Sequence, residues 1–291
     1  MKIAITGASG FVGQAVSAHL RRAGHEVFSI SIRGAISPTQ FAGCEAVIHL
    51  AGEPVAQRWT AAARERIRSS RVDGTRKLVE ALEQAAKNGR PPQAMVSASA
   101  VGYYGSRGDD VLLESEPADK GFLGQVAEAW EQEAMGAEVL GTRVTRVRFG
   151  VVLGRTSEGK PGGALQKMLL PFKLGLGGKL GSGDQWISWI HLRDLVRMIE
   201  FLILESTVRG VFNGVAPNAV TNREFTRALA EAVHRPAIIP VPAFALKLAV
   251  GEMSEILLGS QRAVPDAALR AGFTFEYNDV FGALAEIVQA K

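Results

Sequence analysis

The sequence predicts an α/β fold, a doubly wound parallel sheet with a smaller, mostly helical C-terminal lobe. Three observations carry that prediction. Apolar runs of strand length alternate with helical patterns through the first half of the chain, which implies repeated βαβ units and a parallel sheet covered on both faces. The first strand runs directly into a glycine-rich turn followed by an apolar stretch of helical period. After Val152 the character changes, and the remaining apolar segments read mainly as helices.

The N-terminus holds the sharpest motif. Met1 to Ile5 reads as a short buried strand, and Thr6-Gly7-Ala8-Ser9-Gly10-Phe11-Val12-Gly13 follows it without a break. An apolar periodic stretch then passes through Val16 and Leu20 to Gly24. Strand, glycine turn and helix in that order form the pyrophosphate site of a Rossmann-type unit. Gly7 serves the tight turn, Gly10 lets backbone N–H groups approach phosphates, and Gly13 permits close packing of helix on strand. A glycine triplet alone is equally a simple turn, and the strand before it points to a dinucleotide.

The second strand indicates which dinucleotide. Residues 27–32 read as a strand ending at Arg33, and no acid occurs between Val27 and Gly43. NAD sites place an Asp or Glu about 20 residues beyond the glycine loop, where it binds the ribose 2′-OH. Here that distance falls on Arg33. Ser31 and Arg33 suit a 2′-phosphate, which a carboxylate would repel, so the expected cofactor is NADP(H). The competing reading of Arg33 is a solvated cation at a strand end.

The later elements complete the sheet. Residues 46–52 read as the third strand, 59–86 as a long helix with a break near Ser69-Ser70, 93–99 as the fourth strand, 121–137 as a helix and 144–149 as the fifth strand. Beyond them, the glycine-rich stretch 159–183 encloses an amphipathic segment at 165–170. Helices are expected at 192–204, 222–233, 242–253 and 279–289, with one more strand at 211–215. Residues 1–152 therefore form the NADP-binding unit, to which 186–216 returns, and 153–185 with 217–291 form a substrate lobe. A substrate cleft is expected between them, beyond the carboxyl ends of the strands.

Composition bounds the function classes. Hydrophobic residues make up 47% and charged residues 21%, ordinary values for a globular α/β protein. No apolar run reaches the roughly 18 residues of a spanning helix, and the N-terminal run is too short for a signal peptide. Cys44 is the only cysteine, so no disulfide forms within the chain, and a reducing, cytoplasmic location fits. The five histidines are scattered without metal-ligand spacing, so no metal site is expected. The net charge of +4 is dispersed, and the clusters at 64–68 and 143–148 read as solvated faces of a helix and a strand. Neither nucleic acid nor a membrane is an expected partner.

Several segments now point to a family. Thr6-Gly7-x-x-Gly10-x-x-Gly13, Leu50-Ala51-Gly52 after the third strand, Ser97-Ala98-Ser99 at the end of the fourth and Trp189-Ile190-His191-Leu192-Arg193-Asp194 together resemble the extended short-chain dehydrogenase/reductase superfamily. That superfamily includes nucleotide-sugar epimerases and dehydratases. Glu53-Pro54, Gly102-Tyr103-Tyr104-Gly105, the stretch 169–178 and Gly259-Ser260-Gln261-Arg262 resemble one atypical branch, the epimerase-like family of unassigned activity named for NAD-dependent epimerase/dehydratase. The resemblance spans nearly the whole chain, although fold does not fix reaction. It implies that Gly7, Ser9, Gly10, Phe11, Val12 and Gly13 line the pyrophosphate, and that Ser31 and Arg33 face the adenosine ribose phosphate. It further implies that Leu50, Ala51 and Gly52 contact the adenine side and the second ribose, and that Ser97 and Ser99 lie at the nicotinamide end. Arg71 sits on the helix that approaches the cofactor in this superfamily, or is a surface cation. A homodimer through the helices at 59–86 and 121–137 is implied in the same way.

The catalytic centre departs from the pattern. The superfamily uses a Tyr-x-x-x-Lys pair downstream of the strand-four serine, in which lysine lowers the tyrosine pKa. This chain has three tyrosines, Tyr103, Tyr104 and Tyr277, and none has lysine four residues on. One of the adjacent phenols Tyr103 and Tyr104 is the candidate substitute acid; alternatively one packs the loop and the other shapes the pocket. Ser99 matches the superfamily's catalytic serine, a hydrogen-bond donor to a substrate oxygen, or is a turn hydroxyl. His191 reads as a buried, satisfied histidine ahead of a general base, and Asp194 as support for the first turn of a helix. Glu53 is either an acid/base residue or a loop terminator, and Lys167, Lys173 and Lys179 either receive a phosphorylated substrate or are solvated. Two functions follow. One is an NADP(H)-dependent oxidoreductase or sugar-nucleotide epimerase with a non-standard proton donor, acting on a small molecule such as a nucleotide sugar. The other is a catalytically silent NADP(H)-binding sensor or scaffold.

Overall fold

The structure, a computed structural model, describes residues 1–289. Strands β1 (Lys2–Thr6), β2 (Glu26–Ile30), β3 (Ala46–His49), β4 (Ala94–Ala100), β5 (Arg143–Phe149) and β6 (Gly210–Gly214) form one sheet in the order β2-β1-β3-β4-β5-β6. Every pairing in it is parallel. The order reverses between β1 and β3, which opens a crevice at their carboxyl ends. The expected α/β doubly wound architecture is present.

The helices of the first half are α1 (Phe11–Arg22), α2 (Ala61–Ala86) and α3 (Phe122–Met135). Those that follow are α4 (Gly163–Lys173), α5 (Leu192–Leu204), α6 (Asn222–Val233), α7 (Ala243–Val250), α8 (Ser254–Leu258), α9 (Asp266–Arg270) and α10 (Val280–Gln289).

Alternation along the strands explains the layering, because successive side chains leave opposite faces. Ile3, Ile5, Ile48 and Val96 pack with Val16 and Leu20 of α1 and Leu195 and Ile199 of α5. Ala4, Val47 and Met95 pack with Leu78 and Leu82 of α2 and with Ala134 of α3. A separate core joins Leu165, Leu169 and Phe172 of α4 to Phe225 and Leu229 of α6 and to Leu284 and Ile287 of α10. This is the mostly helical body of the second half, while β6 returns to the main sheet beside β5.

Two helices differ in continuity from the sequence expectation. α2 runs unbroken through Ser69 and Ser70, because Ser70 Oγ donates to Ile67 O at 3.1 Å and accepts from Glu53 N at 2.9 Å. A serine whose hydroxyl bonds back to the preceding turn no longer competes for the helix backbone. The single helix expected over 242–253 is instead α7, a 3₁₀ turn at Gly251–Met253 and α8, and Gly251 breaks it with φ +63°.

Candidate functional site

The crevice begins at the end of β1. Gly7 turns the chain with φ +72°, and Gly10 N donates to Gly7 O at 3.0 Å. A Cβ on Gly13 would lie 2.2 Å from Gly7 O, so α1 can start this close to the turn only with glycine there. Gly10 occupies the N-cap of α1 without a side-chain cap, and no acid lies in the first turn. The opening N–H groups of a helix have no intrahelical acceptor and sit at its positive end. Ser9 and Gly10 are exposed, whereas Val12 is half-buried. The Phe11 ring packs on Gly162, where a Cβ would come within 2.4 Å of it, so the start of α4 closes one side of the loop.

Beside this loop, β2 ends at Ile30 and Ser31 and Arg33 emerge into solvent. Arg33 N donates to Ser31 Oγ at 3.3 Å. Ile32 anchors the segment against Gly74 of α2, where a Cβ would approach Ile32 Cδ1 to 2.7 Å. Among the described residues no carboxylate lies within ion-pair distance of Arg33. An exposed, unopposed guanidinium beside a phosphate loop fits a second phosphate.

At the end of β3, Leu50 N donates to Thr6 O at 3.1 Å, which brings Leu50-Ala51-Gly52 against Gly7. The guanidinium of Arg71 lies under Gly52, with Cζ 3.1 Å from where a Cβ would stand, and over the Trp130 ring at 5.1 Å. Its Nη1 donates to Glu53 O at 2.9 Å and Ile67 O at 3.2 Å. Burial pushes Arg71 down to about 10, against the opposing charge of Glu53, and it stays cationic at neutral pH. Nearby, His49 is fully buried between Thr6 Oγ1 at 2.6 Å and Thr75 Oγ1 at 2.8 Å. Burial and the Arg71 charge lower His49 to about 4, so the ring is neutral.

The end of β4 holds a closed polar network. Ser99 Oγ donates to Glu131 Oε1 at 2.7 Å. Arg148 of β5 reaches the same carboxylate twice, Nε to Oε1 at 2.8 Å and Nη2 to Oε2 at 2.9 Å. Its Nη1 donates to Tyr104 Oη at 2.9 Å, and Tyr104 Oη donates to Asn213 Oδ1 at 2.7 Å. Burial alone would lower Arg148, but the hydrogen bonds and charge of Glu131 outweigh it and hold the guanidinium above its ordinary value. Burial pushes Tyr104 up to about 12 despite Arg148. Tyr103 differs: it is half-buried, no hydrogen bond among the described residues engages its hydroxyl, and its ring lies over the Arg148 guanidinium at 3.4 Å. Ser97, two residues earlier on the strand, is buried and its Oγ donates to Ala98 O at 3.4 Å.

A family model described as the NAD dependent epimerase/dehydratase family matches residues 3–213. The chain belongs to that family. A second model, Domain of unknown function (DUF1731), matches residues 241–287. Epimerase family protein YfhF of Bacillus subtilis is 36% identical over 306 residues, covering 99% of this chain and 98% of the relative. Epimerase family protein SDR39U1 of Bos taurus is 38% identical, covering 99% and 100%. The crystal structure of human epimerase family protein SDR39U1 (isoform 2) with NADPH superposes with a TM-score of 0.89 at 33% identity, covering all of both chains. A Thermotoga maritima UDP-glucose 4-epimerase shares the fold at a TM-score of 0.77 and 18% identity. No helix among the described residues is long and apolar enough to cross a membrane, and an Arabidopsis thaliana homologue 37% identical to this chain is named chloroplastic.

Within this epimerase-family site, several residues take roles that local sequence does not show. The donor role that the resemblance implies for Ser99 is closed in this geometry, because its one proton lies on Glu131. Tyr104 is a buried structural phenol and does not reach the crevice. Arg148 is no solvated strand cation, being 2% exposed, and Arg143 caps α5 by donating to Leu202 O at 2.7 Å and Ile203 O at 2.8 Å. His191 caps α5, its Nδ1 accepting from Arg193 N at 3.1 Å, and it stacks on Tyr277. Asp194 accepts from Glu276 N and Tyr277 N, both at 2.9 Å, and so anchors the segment before α10. Glu53 holds Gln57 Nε2 at 3.0 Å, Lys167 Nζ bonds Ala56 O at 3.0 Å and Lys179 Nζ bonds Ser182 O at 2.9 Å. Lys173 is exposed and unpaired among the described residues. Glu131 carried a readable signal, because it shares with Ala127 and Ala134 the apolar face of α3.

Proposed function

We propose that this chain binds NADP(H) across the crevice between β1 and β3 and acts as an oxidoreductase or sugar-nucleotide epimerase whose proton donor is Tyr103. The glycine cradle fits a pyrophosphate: Gly7, Ser9, Gly10, Phe11, Val12 and Gly13 would hold it against the positive end of α1. Ser31 and Arg33 would take the 2′-phosphate. Leu50, Ala51 and Gly52, with Arg71 beneath them, would carry the adenine side and second ribose, and Ser97 would stand at the nicotinamide end.

When bound, the nicotinamide supplies or accepts the hydride. The chain's own part is the proton. In the reducing direction the Tyr103 hydroxyl gives its proton to the substrate oxygen and becomes a phenolate. The Arg148 guanidinium beneath the ring stabilises that charge, a service the absent lysine performs elsewhere in the superfamily. Ser99, buried with its proton held by Glu131, would act from the core by fixing the carboxylate that holds Arg148 in place. The observation that carries this reading is the free Tyr103 hydroxyl on a ring 3.4 Å from Arg148, at the exit of β4.

The closed Ser99–Glu131–Arg148 network favours a second reading, a catalytically silent NADP(H) sensor or scaffold, because it ties the superfamily's catalytic serine into the core. One experiment separates them. Purified protein is titrated calorimetrically with NADPH, NADP, NADH and NAD, then assayed at the NADPH absorbance band against carbonyl and nucleotide-sugar panels beside Tyr103→Phe. Turnover lost in Tyr103→Phe with NADPH binding intact supports the enzyme. Tight NADPH binding without turnover on any substrate supports the sensor, and no nucleotide binding sinks both.

A further inference from the structure

The exposed large apolar side chains of this chain are concentrated. Leu170, Leu174 and Leu176 lie on the last turn of α4 and just beyond it. Ile238 and Ile239 lie on the segment leading to α7, and Phe244 and Leu248 on α7 itself. The two segments are stitched together by Ile239 N to Gly177 O at 3.2 Å, Val241 N to Lys179 O at 2.9 Å and Gly181 N to Val241 O at 2.9 Å. These bonds hold the two segments side by side.

α7 is the anomaly among them. Its eight residues, AFALKLAV, include one polar side chain, and none of the eight is buried. Phe244 is 74% and Leu248 83% exposed, one helical turn apart. A helix this short is unstable in water on its own propensity, and one that is apolar nearly all round is stable only when covered. The helices expected to pair by resemblance present the opposite surface. None of the exposed large apolar residues belongs to α2 or α3, whose outer positions include Arg68, Lys77, Glu80 and Glu83 on α2 and Gln125 and Glu128 on α3.

We propose that the face built from residues 170–176 and 238–248 is a homodimer interface, covered by the same face of a second copy of this chain across a twofold axis. The area fits that occupant. The seven side chains expose roughly 900 Å², against the ~800 Å² that each partner of a standard interface buries and the 300–600 Å² of a typical largest patch on a monomer. The charges fit as well. Among the described residues Lys173 of α4, Lys247 of α7 and Glu255 of α8 are exposed without ion-pair partners, and an isologous contact matches a residue on one protomer to a different residue on the other. A set of both signs is therefore self-complementary, whereas an anionic lipid surface would meet Glu255 as a repulsion.

The test is sedimentation velocity on the full chain over about 1 to 100 µM, where mass action governs association. The expected result is a species of twice 31.0 kDa. Phe244→Glu and Leu248→Glu should each raise its dissociation constant roughly 100-fold. Far-UV circular dichroism keeps a folding defect distinguishable, and Glu83→Arg on α2 should leave the dimer intact. A monomer throughout the series overturns the proposal. So does a dimer that survives both α7 variants or is lost only in Glu83→Arg. A monomer that pellets with phosphatidylserine vesicles and ceases to do so in Leu248→Glu overturns it too, assigning the face to lipid.

Discussion

Ser99 Oγ donates at 2.7 Å to Glu131, a carboxylate that already holds Arg148 through both of its oxygens. The serine that ends β4 is thereby part of a buried ion pair between α3 and β5. The Ser99 proton is thereby engaged within the core, and the same Arg148 lies 3.4 Å from the Tyr103 ring.

Removing Glu131 should be severe. Glu131→Ala leaves Arg148, 2% exposed, as an uncompensated buried cation, and the expected loss is about 3–5 kcal/mol in urea unfolding. The double variant Glu131→Leu with Arg148→Met should recover most of it, since neither charge then remains buried. Equal losses in the single and double variants would show that the pair is not coupled.

The two adjacent phenols should separate cleanly. Tyr104→Phe removes the bridge between Asn213 and Arg148 and should cost about 1–3 kcal/mol. Tyr103→Phe removes no hydrogen bond and should shift stability by less than about 0.5 kcal/mol. Because burial raises Tyr104 from 10.0 to about 12, the unfolded chain loses this proton first. Its contribution is complete below pH 10 and falls by about 2 kcal/mol as pH rises toward 12. Alkaline unfolding of wild type beside Tyr104→Phe reads the difference.

His49 sets an opposite slope on the acid side. Its value falls from 6.5 in the unfolded chain to about 4 in the fold, so the unfolded state takes the proton first as pH drops. Stability is complete above pH 6.5 and declines by about 3 kcal/mol as pH falls through the window to 4. His49→Asn should be less stable at neutral pH and show a shallower decline below it. Parallel curves would remove His49 as the titrating group.

Arg33→Asp tests the cofactor preference. Replacing the unopposed guanidinium with a carboxylate beside the glycine loop should weaken NADPH binding by roughly 10- to 100-fold and leave NADH nearly unchanged. Calorimetry with both nucleotides decides, and equal losses for the two would place Arg33 away from the 2′-phosphate.

Local features of the chain were readable without the fold. Apolar period located the six strands of the main sheet, the spacing of Gly7, Gly10 and Gly13 located the turn, and the missing Tyr-x-x-x-Lys pair was visible by counting. The misreadings share a cause. Ser69-Ser70 reads as a break because the Glu53 amide and Ile67 carbonyl that engage Ser70 are invisible in a local window. Arg148 reads as solvated because alternation cannot show that Glu131, 17 residues earlier, sits opposite it.

The sequence by itself determined the doubly wound sheet, the dinucleotide loop, the absence of an acid where NAD requires one, and family membership, all of which rest on period, glycine placement and order along the chain. Only the tertiary structure decided which polar groups are structural and which are free. A buried charge is tolerated only when a partner from another element neutralises it, so the hydrogen-bond partners of Ser99 and Tyr104 are set where α3, β4 and β5 meet.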